Sequence, residues 1–338
     1  MLNMVGACVL GIAFGFVLQR GGFCGSSLLS SVVLYKDMKG LVGVLVAVLV
    51  SMLGFALLAH LEWVIPAPKP LRLLSAVGGG LVFGVGMVLA GGCITGTLYK
   101  AGEGRVTSIL ALLGIGIGSL ATNSGALKPV KTWFVMATKD LPLIGGLEEL
   151  VGLSYVTLAA IVGAIGLVTV VVVYFVRNRS FKLALSKKKL VSGGWSPITA
   201  GALVGVLGWI GFVLSSAAGR NYPLGGQGGV KGAFELLTKG EYSGSKWMIF
   251  LVAGLMIGSA ISARMRGALK LRSADPATLL FALLGGVLVG FGAAVGRGCF
   301  IGNNVSGLAL LSLHSIIFAA CTVVGNFVTT AVYLRGFR

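Results

Sequence analysis

The sequence predicts an all-α polytopic membrane protein with about nine transmembrane helices, four short half-helices meeting centrally, and an inverted internal repeat. Three observations point there. Hydrophobic residues make up 56% of the 338. They form runs such as 41–61, 151–176 and 247–263, and about 20 helical residues suffice to cross a hydrocarbon core of ~30 Å. Glycine-rich breaks interrupt the pattern: GGFCGSS at 21–27, GGCITGT at 91–97 and GRGCFIGNN at 296–304. At membrane depth a break leaves amides that lipid cannot satisfy, so it is tolerated where it lines a protein cavity. Finally, one stretch of the chain repeats another.

In chain order, the first span (3–20) runs into Gly21-Gly22 and is followed by an apolar stretch at 25–36, too short to cross. Spans at 40–61 and 73–91 come next, the latter ending at Gly91-Gly92 before a short stretch at 94–101. The fourth span, 106–123, carries GIGIG at 114–118, which suits close helix packing. The segment 128–150, with Pro129, Trp133, Pro142 and Gly145-Gly146, reads as a surface elaboration. A span at 152–176 links the halves. The remaining spans fall at 197–215, 246–264, 277–296 and 315–334, with short stretches at 226–238 and 300–312.

The repeat is visible residue by residue. Residues 79–96 (GGLVFGVGMVLAGGCITG) align without gaps on 285–302 (GGVLVGFGAAVGRGCFIG), and GFVL at 15–18 recurs at 211–214. Each half thus reads span, short helix, span, span, short helix, span. The division is 1–150 for the first repeat, 151–194 for the linking span and a basic loop, and 195–338 for the second repeat. An odd number of crossings before the second repeat inverts it, a recurring transporter architecture.

The net charge of +18 does not signal nucleic acid, because the basic residues lie in short loops between spans. The densest loop holds Arg177, Arg179, Lys182, Lys187, Lys188 and Lys189, which makes it cytoplasmic. Alternation puts Lys36, Lys39, Lys100, Arg105, Arg264, Arg266, Lys270, Arg272, Arg335 and Arg338 on the same side. Glu62, Asp140, Glu148, Glu149, Glu235 and Glu241 fall opposite. The expected topology is an outside amino terminus and a cytoplasmic carboxy terminus.

Short-helix N-termini present free N–H groups and about half a positive charge, which attracts anions. The breaks supply further donors and cations. The candidate binding set is Arg20, Gly22, Gly92, Thr95, Arg220, Asn221, Gln227, Arg297, Gly298, Asn303 and Asn304. Cys24, Cys93 and Cys299 occupy break positions, whereas Cys8 and Cys321 lie within spans as small apolar residues. A thiol is a weak donor and a soft contact, so the three break cysteines are the candidate path for a sulfur-bearing solute. The second-half break at 218–223 has no cysteine, which places a missing fourth thiol near Arg220 and Asn221.

Other classes are disfavoured. No CxxC pair and two histidines, His60 and His314, give no zinc or disulfide framework. No Asp or Glu falls mid-span, against carboxylate-based ion coupling. No catalytic constellation, cofactor site or metal site is expected.

At the GGFCG, GGCITG and GRGCFIGN segments the chain resembles the YeeE/YedE family of bacterial inner-membrane proteins, over essentially its whole length. The resemblance implies an hourglass-like bundle with inward-pointing short helices. It also implies thiosulfate import along three cysteines through transient S–H···S bonds, a role that maps onto Cys24, Cys93 and Cys299. It further implies a small cytoplasmic TusA-like sulfur-carrier partner. No such domain follows Arg338, so the partner is expected to be a separate chain. Selenite, sulfite or another chalcogen oxyanion fits the same motifs. A membrane sulfurtransferase fits less well, since no activating base or resolving thiol lies nearby.

Overall fold

The computed structural model of the chain describes residues 2–138, 145–177, 194–240, 244 and 246–334. Asp140, Pro142, Arg179, Lys182, Lys187, Lys188, Lys189, Glu241, Arg335 and Arg338 therefore lie outside the described residues.

Among the described residues nine long helices form the body: α1 (Leu2–Gly21), α3 (Lys39–His60), α4 (Leu73–Leu89), α6 (Val106–Asn123), α9 (Tyr155–Arg177), α10 (Pro197–Ala217), α12 (Lys246–Met265), α13 (Pro276–Val295) and α15 (Leu313–Thr329). A π-helical turn, Thr330–Leu334, extends α15. Eight of the nine are long and apolar enough to cross a membrane. The remaining one, α9, has 23 residues, about 34 Å of helix at 1.5 Å per residue. Large apolar side chains such as Leu45, Leu57, Ile117, Ile165, Ile210, Ile257, Leu284 and Val328 point outward, as a lipid-facing shell requires.

Three short helices sit between these spans: α2 (Gly25–Tyr35), α5 (Ile94–Gly102) and α11 (Gln227–Lys239). The fourth differs from the single short helix expected over 300–312. It is a π-helical turn, Ile301–Val305, passing into one α-helical turn, α14 (Ser306–Ala309). Two surface helices, α7 (Lys128–Met136) and α8 (Leu147–Val151), make up the elaboration. It docks where Leu147 N–H donates to Leu311 O.

Local sequence explains the boundaries. Ser196 and Asp275 cap α10 and α13 by accepting from Thr199 N and Thr278 N, and a proline occupies the first turn of each helix. Both are standard helix-start chemistry. The Gly22 and Gly91 breaks take φ of +56° and +66°, conformations that glycine adopts without Cβ strain.

The halves interleave. Glycines of α1 (Gly11, Gly15) press on the α12 backbone, while Gly43 of α3 and Gly201 of α10 press on each other's helix. The repeated glycines do matching work. Gly80 and Gly84 of α4 abut α15, and their partners Gly286 and Gly290 of α13 abut α6. Gly79 and Gly86 abut α13, and Gly285 and Gly292 abut α4 in return. This exchange of partners is what a two-fold relation between halves demands. It also means that each half buries its packing face on the other.

Candidate functional site

Each break ends where a short helix begins, so the cysteines sit at helix N-termini. Cys24 is the extended residue capping α2, and Cys93 caps α5 with its sulfur accepting from Gly96 N at 3.4 Å. Cys299 repeats that bond with Gly302 N at 3.4 Å and also accepts from Gly226 N at 3.2 Å. All three side chains are buried.

The structure puts these sulfurs in an order. The Cys24 and Cys93 side chains touch, and a Cβ built on Gly96 would run into Cys24 Sγ while lying 3.4 Å from Cys93 Sγ. Thr95 Oγ1 is 3.5 Å from Cys93 Sγ. On the far side, Gly226 lies against Thr95 and Ile94 while its N–H reaches Cys299. The row therefore runs Cys299, Gly226 with Thr95, Cys93, Cys24. Gly226 is the residue before α11, so it takes the place that Cys24 has before α2. The position without a thiol is thus Gly226, not the Arg220–Asn221 stretch. The break is longer here because Arg220 Nη1 ties down the Tyr222 and Pro223 carbonyls at 3.1 and 3.0 Å.

At the Cys299 end lies a cavity of about 260 Å³. Lys69, Arg220 and Arg297 line it together with Tyr222, Gln227, Met248, Gly298 and Cys299, and among the described residues no carboxylate lines it. Lys69 Nζ donates to Asn303 Oδ1 at 2.6 Å and sits 4.6 Å from the Tyr222 ring centroid. Burial lowers its pKa to about 7; the nearby Cys299 sulfur opposes the shift, and Arg297 and Arg220 reinforce it.

The other predicted residues divide by place. Asn303 is buried and held between Lys69 and Gly296 O, so it positions the lysine. Asn304 is buried outside the cavity lining. Asn221 is exposed, accepts from Ser216 Oγ at 3.1 Å, and does not line the cavity. Gly92 packs on Thr97, and Gly22 is exposed. Arg20 lies at the opposite end, buried, its guanidinium 5.1 Å from the Phe16 ring centroid and near Arg266.

That opposite end holds a second cavity of about 160 Å³, lined by Gln19, Glu103, Arg105, Arg266, Ala268 and Arg272. Between it and the cysteine row stands Lys100, 8% exposed. Its Nζ donates to Gly91 O at 2.7 Å, Ser27 Oγ at 3.4 Å and Cys24 Sγ at 3.7 Å.

Sequence reasoning passed over Lys69, Tyr222 and Met248 and used Lys100 just to mark a side. Two signals were available. Lys69 stands between prolines in Pro66-Ala67-Pro68-Lys69-Pro70, a stiff tether that fixes where a side chain points. Lys100 follows Cys93 by seven residues, which is two turns along one helical face.

The fold and the site define a multi-pass helical membrane protein with a sulfur-lined interior. The chain belongs to the YeeE/YedE sulphur-transport family: the family model described as "Sulphur transport" matches residues 20–328. It is 31% identical to the "Thiosulfate transporter TsuA" of Spirochaeta thermophila over 332 residues, 97% of this chain and 98% of that protein. It is 30% identical to the "Thiosulfate transporter TsuA" of Escherichia coli over 344 residues, 99% and 96% of the two chains. The "Probable transporter YedE" of Escherichia coli matches at 32% over 113 residues, 33% of this chain and 28% of its own.

Proposed function

We propose that this chain imports thiosulfate through the bacterial inner membrane along Cys299, Cys93 and Cys24. The observation that carries the reading is a cationic cavity with Cys299 in its wall, from which the row leads to the other two thiols. Thiosulfate is a dianion with hard oxygens and a soft terminal sulfur. Lys69, Arg220 and Arg297 suit the oxygens, and a thiol S–H suits the sulfur. The sulfurs of Cys93 and Cys299 already accept backbone N–H groups, which leaves their hydrogens to donate. Such weak contacts fit conduction, in which a tightly gripped solute would not leave. Neutral thiols are required, since a thiolate would repel the ion.

The Lys69 end is the outer face in this reading and the Arg105 end the cytoplasmic one, by the excess of Lys and Arg at the latter. The amino terminus is then outside. The repeats are 1–150 and 195–338, joined by 151–194. A separate TusA-like sulfur carrier would meet the imported ion at the Arg105 end. Chemistry on the ion is not part of the reading: passage is by hydrogen bonding, without a covalent persulfide. The test is uptake of labelled thiosulfate into proteoliposomes. Flux equal to that of empty vesicles sinks the proposal, and stronger competition by selenite or sulfite than by thiosulfate reassigns the solute.

A pH dependence follows from Lys69. Its ammonium is present below about 7 and is lost as pH rises through that value, while the charge of thiosulfate stays fixed. The KM for uptake is expected to rise about fivefold between pH 6 and 8, most of the roughly tenfold that a charged hydrogen bond of about 1.5 kcal/mol is worth. Lys69→Gln should show the high KM at both pH values. A wild-type KM that is flat over this range removes Lys69 from the site.

A further inference from the structure

The three cations of the outer cavity explain how a dianion enters, but not what balances its charge at the far end of the row. Lys100 is a buried charge beside the last cysteine of the row that the import path has not used. Glu103, three residues on, is already engaged by Arg105 Nε and Gln19 Nε2, each at 3.1 Å. No carboxylate pairs with Lys100 among the described residues. Its partners are a carbonyl, a hydroxyl and a thiol. Taking an ammonium out of water costs several kcal/mol, which neutral partners offset in part.

The repeat shows that the fold does not need a charge there. In the alignment that matches Cys93 with Cys299, Lys100 falls on Ser306. Ser306 Oγ donates to Leu224 O at 3.0 Å, reaching the break that precedes α11. Lys100 reaches the break that precedes α2, through Cys24 and Ser27. Both side chains tie the second short helix of a half to the break before its first, and a neutral serine suffices in one of them. The positive charge is therefore surplus to the structural role.

The surroundings are open to a ligand. Gly22, Ser27 and Gly91 are exposed, and Cβ atoms built on Gly22 or Gly91 would meet nothing within 4 Å. The charge supply also switches position between halves. Gly91 aligns with Arg297, so the cation sits on the break itself at the outer end and on the helix after it at the inner end.

We propose that Lys100 and Cys24 form a second, inner binding site for the transported dianion. The ammonium takes the oxygens and the Cys24 thiol takes the terminal sulfur, and the ion is released from there toward the Arg105 cavity. The inference rests on the import reading and deepens it.

The test is sided kinetics in proteoliposomes sorted by orientation, with labelled thiosulfate offered from either face. Wild-type transport is the reference, and its absence defeats the import reading rather than this site. Given wild-type transport, Lys100→Met should raise the inner-face KM about tenfold and leave the outer-face KM within twofold. Lys100→Arg should restore the inner-face value. Lys100→Ser, which installs the residue that the other half tolerates, gives a second neutral variant if Met folds poorly. An unchanged inner-face KM in either neutral variant overturns the site. An equal rise at both faces also overturns it, because that marks general damage to the path.

Discussion

Replacing Cys93 by alanine is expected to abolish thiosulfate uptake while the protein still folds. Cys93 is the middle sulfur of the row: its side chain touches Cys24 on one side, and Thr95 links it toward Gly226 and Cys299 on the other. No other thiol can take over that step, because the equivalent of Cys24 in the second half is Gly226. The alanine variant also loses a helix cap, the bond from Gly96 N to the sulfur, worth about 1 kcal/mol. That is small beside a typical folding stability of about 5–15 kcal/mol. Cys93→Ser separates the two roles. It keeps a cap and a donor while replacing a soft sulfur by a hard oxygen, so melting should stay near wild type and uptake should still fall at least tenfold. Cys8→Ala and Cys321→Ala, in α1 and α15 and partly buried, should leave uptake within twofold. Near-normal uptake by Cys93→Ser would show that the path does not require sulfur. Equal harm from Cys8→Ala would erase the distinction between path and packing cysteines.

The parts of this molecule legible in its sequence are those that local chemistry decides. The nine spans were readable because apolar runs and their breakers are contiguous, and the structure places each within about three residues. The short helices were readable because glycine breaks are costly in lipid. The repeated glycines were readable as a pattern, and the structure adds their purpose, since Gly80 and Gly286 each admit the backbone of a neighbouring helix. What escaped depends on tertiary assembly. The cavity draws Lys69 from the α3–α4 loop, Arg220 and Tyr222 from the second half, and Arg297 from a third break. No spacing relates these residues. The order of the cysteines was hidden for the same reason, because Gly226 and Thr95 come together only when the halves interleave. The start of α11 was legible to within one residue, but the missing thiol was placed too early in the chain, because the backbone ties of Arg220 lengthen the break before Gly226, an effect with no periodic signature. Asn221 illustrates the converse: its residue type suits an oxyanion, but its position turns it outward.

Arg297→Gly is expected to move stability and transport in opposite directions. Arg297 holds φ of +56°, as Gly91 holds +66° at the equivalent place in the other half. The backbone there is built for glycine, and an L side chain in that region costs about 1–2 kcal/mol. Glycine removes that strain but gives back about 0.5–1 kcal/mol through its greater freedom in the unfolded chain. The first effect wins narrowly, so the variant should melt at or slightly above the wild-type temperature. Strain of this kind persists where a function holds it in place, and here the side chain it sustains is one of three cations lining the cavity beside Cys299. Losing it removes an interaction worth about 1.5 kcal/mol or more to a charged ligand, so the KM for uptake should rise at least tenfold. Arg297→Lys should recover part of this, since it restores the charge without the planar fork that can engage two oxygens at once. Thermal melting in detergent and uptake kinetics on the same preparations measure both effects. A variant that melts well below wild type would mean that Arg297 serves the fold, and one that transports normally would mean that the cavity needs only Lys69 and Arg220. The contrast with Gly91 gives the result its meaning. The same backbone turn is left bare at one end of the path and carries a guanidinium at the other, so under the proposed direction of import the strain falls at the end where the anion would first be held.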